Sequence, residues 1–129
     1  MSFRSLMSNK ITISRKGLGT RDSDGYETAE FSQVVGMIGI PARLVASSRS
    51  VVYRLEGTDV RASHQLHVVV ATDAGLAVDI QKEDRIEDED TGTQYRVLEV
   101  HGARGRSSLH HYEGFVLEET EWQQSQVSS

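Results

Sequence analysis

His64-Gln65-Leu66-His67-Val68-Val69-Val70-Ala71 is the stretch on which the fold turns. Three consecutive β-branched valines restrict χ1 and favour extended backbone. The run is short for a helix and reads as a strand with Val68, Val69 and Val70 buried on both faces. Outward from it, toward the N-terminus, lie Val51 to Leu55 and an alternating run from Ile38 to Val45, with Ile38, Ile40, Ala42 and Leu44 on one side. Pro41 requires an edge or an initial position in that strand, and Gly36 and Gly39 argue against a helix there. Earlier still, Ile11 and Ile13 share one face of Lys10 to Ser14. Toward the C-terminus, Leu76 to Ile80 reads as a short strand. Asp84 to Glu87 pairs with Gln94 to His101 across a turn in which Gly92 supplies a positive φ. Leu109 to Glu118 reads as the last strand. Short strands at this spacing predict an all-β fold, a small β-barrel of about six to eight mostly antiparallel strands.

The chain has 129 residues, 37% hydrophobic and 26% charged, with one proline and no cysteine, so it is neither low-complexity nor wholly disordered. That length suits one core. We expect an N-terminal arm at 1–9, a single barrel domain at 10–118 carrying a long polar loop at 15–32, and a polar tail at 119–129. Without cysteine there is no disulfide, thiolate metal site or cysteine nucleophile. No signal-peptide pattern and no uninterrupted apolar stretch of spanning length is present, so no membrane association is expected. The charge is uneven. Residues 1–54 hold 8 Lys+Arg against 4 Asp+Glu and residues 55–129 hold 6 against 15, halves of +4 and −9 in a chain of net −5. The halves either mix on folding or leave faces of opposite sign for docking.

Chemistry-bearing motifs are sparse. His64 and His67 are three apart, which on a strand sends them to opposite faces, and adjacent His110 and His111 diverge for the same reason. A metal site would have to assemble across strands from His67, His101 and one of the last pair, and we expect no metal and no cofactor. Gly-x-Ser-x-Gly is absent, and Gly17-Leu18-Gly19 lacks the rest of a phosphate-binding loop. Setting Asp22, Asp24 and Gly25 in an EF-hand frame places Phe31 where a bidentate Glu is required, so that match fails. The acidic run Glu83 to Asp90 reads as turn and hairpin. An acidic chain with 8 aromatic residues is poorly suited to a nucleic-acid groove. No catalytic residue is assigned; the chain reads as a non-enzyme.

Asp84-Arg85-Ile86, then Asp90 to Val100 with Gly92, Tyr95 and Val97, and finally His111-Tyr112-Glu113 resemble the layout of tailed-bacteriophage head-closure proteins, also called stoppers or head-tail joining proteins. The likeness spans roughly residues 38–119. The family usually carries glycine before Asp-Arg-Ile, where this chain has Glu83, so a positive φ there would be strained. The hairpin also makes sense without any family: Ile86, Tyr95 and Val97 fill one core face while Arg85 and Arg96 point elsewhere for ion pairing.

The resemblance implies a virion component at the head-tail interface, assembled in the host bacterial cytoplasm. Such a protein forms a ring of about six or twelve copies below the portal and adaptor, seals the DNA channel, and offers a surface to tail or tail-completion proteins. Packaged double-stranded DNA would lie in the channel without sequence-specific contact. Within that reading, the polar segment is the candidate gate, with Arg21, Asp22, Asp24, Tyr26 and Phe31 as its contact residues. Arg104 and Arg106, on the loop Gly102 to Ser108, form a candidate interface. The alternatives are a tail-completion protein, a metal-dependent β-barrel enzyme, and an OB-like nucleic-acid-binding barrel.

Overall fold

A computed structural model describes residues 7–17, 20–21, 27–28, 31–47, 51–72, 74–104 and 109–121; at 20–21, 27–28, 103–104 and 109–110 it describes the backbone. The strands are β1 (Asn9–Lys16), β2 (Thr20–Arg21), β3 (Glu27–Thr28), β4 (Phe31–Gln33), β5 (Ile40–Ala46), β6 (Tyr53–Leu55), β7 (Thr58–Val60), β8 (His64–Val69), β9 (Arg85–Asp88), β10 (Gln94–Arg104) and β11 (Leu109–Glu118). Six of them, in the order β1-β5-β8-β11-β10-β9, close on themselves because β9 pairs back onto β1, and β4 adds a seventh strand beside β1. All pairings are antiparallel. The fold is therefore the small all-β barrel that the sequence predicts. Closure removes the free edges that would otherwise invite pairing with other chains.

Alternation explains the filling. Ile11 and Ile13 of β1, Ile40 and Ala42 of β5, Leu66 and Val68 of β8, Ile86 of β9, Tyr95 and Val97 of β10 and Val116 of β11 form the buried interior, joined by Met37 and Val78. The valine run is half as double-sided as its composition suggests: Val68 and Val69 are buried, but Val70 is intermediate and lies beyond β8. Pro41 stands at the start of β5, before pairing with β8 begins at Ala42, which fits a residue with no N–H to donate.

Two expectations are corrected. Leu76 to Ile80 is not a strand; it makes one isolated bridge, Ala71 to Ala77, through backbone bonds from Thr72 N to Leu76 O at 2.8 Å and from Val78 N to Val70 O at 2.9 Å. Ile38 does not share the buried face of Ile40 and Ala42: it is 60% exposed, because residues 34–39 bulge away between β4 and β5, with positive φ at Gly36 and Gly39. The segment at 15–32, which the sequence reads as a long loop or a hairpin tip, is in part paired. β1 runs on to Lys16 against β4, and Thr20↔Thr28 with Arg21↔Glu27 extends this as a ribbon.

A second apolar cluster lies outside the barrel. The hairpin β6–β7 turns at Glu56 and Gly57, both at positive φ, the signature of a tight two-residue turn that suits strand twist. It lays Leu55 and Val60 over Leu98 and Leu117, with Ala62 alongside and Tyr53 and Phe115 at the margin. Two such faces need β10 to present apolar groups on both sides. Alternation does this, turning Val97 inward and Leu98 outward, and a bulge follows: Val97 pairs with Val116 and Glu99 with Phe115, leaving Leu98 as the extra residue. The bulge brings the Glu99 backbone against β11, so a Cβ at Gly114 would run into the Glu99 carbonyl oxygen and stand 3.2 Å from Val100 Cα.

Candidate functional site

The hairpin singled out in the sequence forms one wall of the barrel, and its charged residues organise the neighbouring strands. Asp84 is buried, and its carboxylate accepts Nε and Nη2 of Arg15, both at 2.9 Å, and the Gln81 N–H at 2.8 Å. Arg15 also donates to Asp79 at 2.9 and 3.1 Å. The Asp84 hydrogen bond, then that of Asp79, holds the Arg15 guanidinium above its ordinary pKa, and the same contact holds Asp79 below its own. Glu83 adopts φ 74, the left-handed conformation that the family's glycine would take without strain. Its N–H donates to Val97 O at 2.7 Å, which ties the turn to β10. Ile86, Tyr95 and Val97 are buried in the core as expected. Gly92 has φ 73 and donates to Asp88 O at 2.7 Å, closing the hairpin turn.

Arg85 and Arg96 stand directly opposite each other on β9 and β10, both outside the core. They share Glu119, at 3.3 and 2.8 Å, and Arg96 also reaches Glu56 at 3.1 Å. Arg96 and Glu119 are both buried. Lys16 completes the group at 2.7 Å from Glu56, and this contact, ahead of Arg96, holds the Glu56 carboxyl below its ordinary range. Phe31 lies beneath the two arginines, with its ring centroid 4.1 Å from the Arg85 guanidinium carbon and 4.6 Å from that of Arg96. Of the candidate gate residues, Phe31 packs on the barrel wall by cation–π contact with Arg85 and Arg96. Arg21 contributes backbone to β2. Asp22, Asp24, Tyr26 and Arg106 lie outside the described residues, as does the side chain of Arg104, whose backbone ends β10.

These contacts also decide much of the charge question. Arg15 and Lys16 come from the basic half and pair with Asp79, Asp84 and Glu56 of the acidic half, so the halves interleave on folding. The acidic run works locally as well: Asp88 accepts Asn9 Nδ2 and the Asp90 N–H, both at 3.0 Å, and Glu89 accepts Thr12 Oγ1 and the Gly39 N–H, both at 2.8 Å.

Two polar groups take shape only in the fold, the second adding Glu113 to the His67, His101 and His111 set weighed in the sequence. Ser63 Oγ and His64 Nδ1 are 2.9 Å apart, but the hydroxyl also accepts the Glu118 N–H at 2.9 Å and so fastens β11. The other group is a row on the outer face. Arg43, His67, Glu113 and His101 are successive register partners on β5, β8, β11 and β10, and His111 shares the face of Glu113 two residues along β11. His111 Nε2 donates to Glu113 Oε1 at 2.8 Å, His67 Nδ1 lies 3.7 Å from the same oxygen, and His101 Nε2 lies 3.9 Å from Oε2. The His111 hydrogen bond holds Glu113 below the ordinary carboxylate value, and burial holds His67 below the ordinary histidine value against the opposing pull of Glu113. His64 turns inward instead, edge-on to Tyr95 at 5.0 Å, as the three-residue spacing requires.

One exposed apolar area stands at the end of the barrel near the bulged segment. Val35 is 91% exposed and Leu76 50%, and the Leu76 side chain packs against Gly36, where an added Cβ would lie 2.8 Å from Cδ1.

No protein-family model and no curated protein matches this sequence. Among solved structures, the chain is similar to the phage-like element PBSX protein xkdH from Bacillus subtilis, with a TM-score of 0.51 and 13% identity over 88% of this chain and 95% of that one. At that identity the likeness is one of fold.

Proposed function

We propose that this protein is a structural component of a phage particle, and more narrowly a head-closure protein of the head-tail connector. The observation that carries the reading is the fold held in common, across 88% of the chain, with a protein of a phage-like element. The hairpin motif that resembles the stopper family supports it independently, since Asp84, Arg85, Ile86, Gly92, Tyr95 and Val97 all occupy ordered positions in one barrel wall. On this reading the chain is not an enzyme. It assembles with itself in a ring, contacts portal or adaptor proteins above and tail proteins below, and closes the channel over packaged DNA.

The physical parts suit that task. A closed barrel is a rigid body, and the short β2–β3 pair follows the β1–β4 pairing, where Phe31 packs on Arg85 and Arg96. The exposed Val35 and Leu76 provide apolar area of the kind that marks contact surfaces. The experiment is a nonsense mutant of this gene in the phage or prophage that carries it. Capsids should fill with DNA, lose it, and accumulate without tails, as read by electron microscopy and nuclease protection. Particles that keep their DNA and bear tails would overturn the reading.

A further inference from the structure

We propose that His67, His111 and Glu113, with His101 as fourth ligand, form a divalent-metal site on the outer face of the barrel, and that its ion is zinc. The inference does not rest on the connector reading. One ligand atom from each of His67, His111 and Glu113 lies within 4.8 Å of the other two. Tetrahedral zinc with ligands at about 2.0–2.2 Å requires ligand atoms roughly 3.3–3.6 Å apart, so side-chain adjustment of about an ångström closes the set.

The frame that presents these side chains is the sheet itself. His67 and His101 flank Glu113 as its register partners on either side, and His111-Tyr112-Glu113 places two ligands on one strand face by the two-residue period. Imidazole nitrogen with one carboxylate is zinc chemistry, not that of calcium or magnesium, which take oxygen. Behind His101, Glu99 Oε1 lies 4.0 Å from Nδ1 while Nε2 faces Glu113, the carboxylate–histidine–metal order that orients a ligating ring. For Nε2 of the neutral His111 ring to ligate, the proton it now donates to Glu113 passes through solvent to Nδ1, which leaves the ring neutral with the Nε2 lone pair toward the ion. Arg43, across from His67, is the opposing positive charge at the edge. The site would join β8, β11 and β10, the three strands that the outer hairpin leaves uncovered at this end.

The test uses the untagged full chain, stripped with EDTA and titrated with zinc chloride alone by calorimetry, with the thermal midpoint as a second readout. One saturable zinc per chain and a raised midpoint are expected. H67Q and E113Q should each weaken affinity by more than about tenfold, since disturbing even the outer shell of a zinc site has that effect. H101Q should weaken it as well, while H64Q, whose ring faces the interior, should leave it unchanged. H67Q and E113Q sit at part-exposed positions, so either one that keeps the wild-type circular dichroism decides the matter. Absence of saturable uptake, or uptake that both variants leave intact, would overturn the site; an H101Q affinity equal to wild type would overturn the fourth ligand.

Discussion

β10 and β11 present two different outer surfaces along one pair of strands. Toward Arg96 and Glu119 the face is clad: the β6–β7 hairpin covers Leu98 and Leu117, and the charges there are buried and paired. Toward His101 and His111 the β6–β7 hairpin does not cover the same strands, and Glu113 gathers three part-exposed histidines. The bulge at Leu98 divides the two regions. The comparison teaches that a barrel wall of one topology supports a structural end and a chemical end, separated by the presence of an outer layer. In the clad end, desolvation makes every lost partner expensive. In the other end the side chains are only part-buried, so water can replace a lost partner.

The strongest way to break this division is at the bulge. Gly114→Ala places a Cβ against the Glu99 carbonyl oxygen and near Val100 Cα, both backbone atoms fixed by the ladder. A destabilisation above about 4 kcal/mol is expected, in the range that marks severe steric conflict. Urea denaturation of the variant would read it, and a change within 1 kcal/mol of zero would show that the bulge relaxes and that the two ends are not rigidly divided.

A smaller loss is expected in the clad end. Arg96→Met leaves Glu119 buried without its closest cation, because Arg85 is farther at 3.3 Å, and should destabilise by about 3 kcal/mol. Adding Glu119→Gln should recover part of that loss, since the uncompensated charge is then gone. Equal stability of the single and double variants would mean that the carboxylate is not desolvated as the geometry indicates.

The smallest effects belong to the histidine end and depend on pH. Burial lowers the folded-state pKa of His67 below the ordinary value of 6.5, so the unfolded chain takes up this proton first as pH falls. Stability from this group is full above 6.5 and is lost as pH drops through the ordinary value toward the folded one. Glu113, also lowered, from an ordinary 4.5, adds a second step: its contribution is present above 4.5 and is lost as pH falls through its folded value. Thermal midpoints in metal-free buffer should decline in both windows. H67Q should flatten the first and shift stability at neutral pH by no more than about 0.5 kcal/mol. An unchanged first window in H67Q would assign it to another group.

The sequence by itself determined the all-β class and most of the inner face. Ile11, Ile13, Ile40, Val68, Ile86, Tyr95 and Val97 are legible because the two-residue period of a strand is a local property, and burial follows from it. That a positive φ would strain Glu83 was legible; that the residue adopts φ 74 was not. The sequence also placed His64 and His67 on opposite faces, and admitted a histidine group across strands without being able to register it.

Tertiary structure decided the rest. Ile38 and Leu76 have apolar side chains but stay largely exposed, because residues 34–39 leave the ladder and 76–80 makes only one isolated bridge, and alternation carries no information about which strands pair. The second core depended on the β6–β7 hairpin folding over Leu98 and Leu117, and the bulge beside Leu98 is invisible to periodicity. Phe31 beneath Arg85 and Arg96, and Glu113 among His67, His101 and His111, join residues far apart in the chain. Local chemistry sets which face a side chain takes, and only closure of the barrel, by fixing register across strands, sets which other side chains it meets.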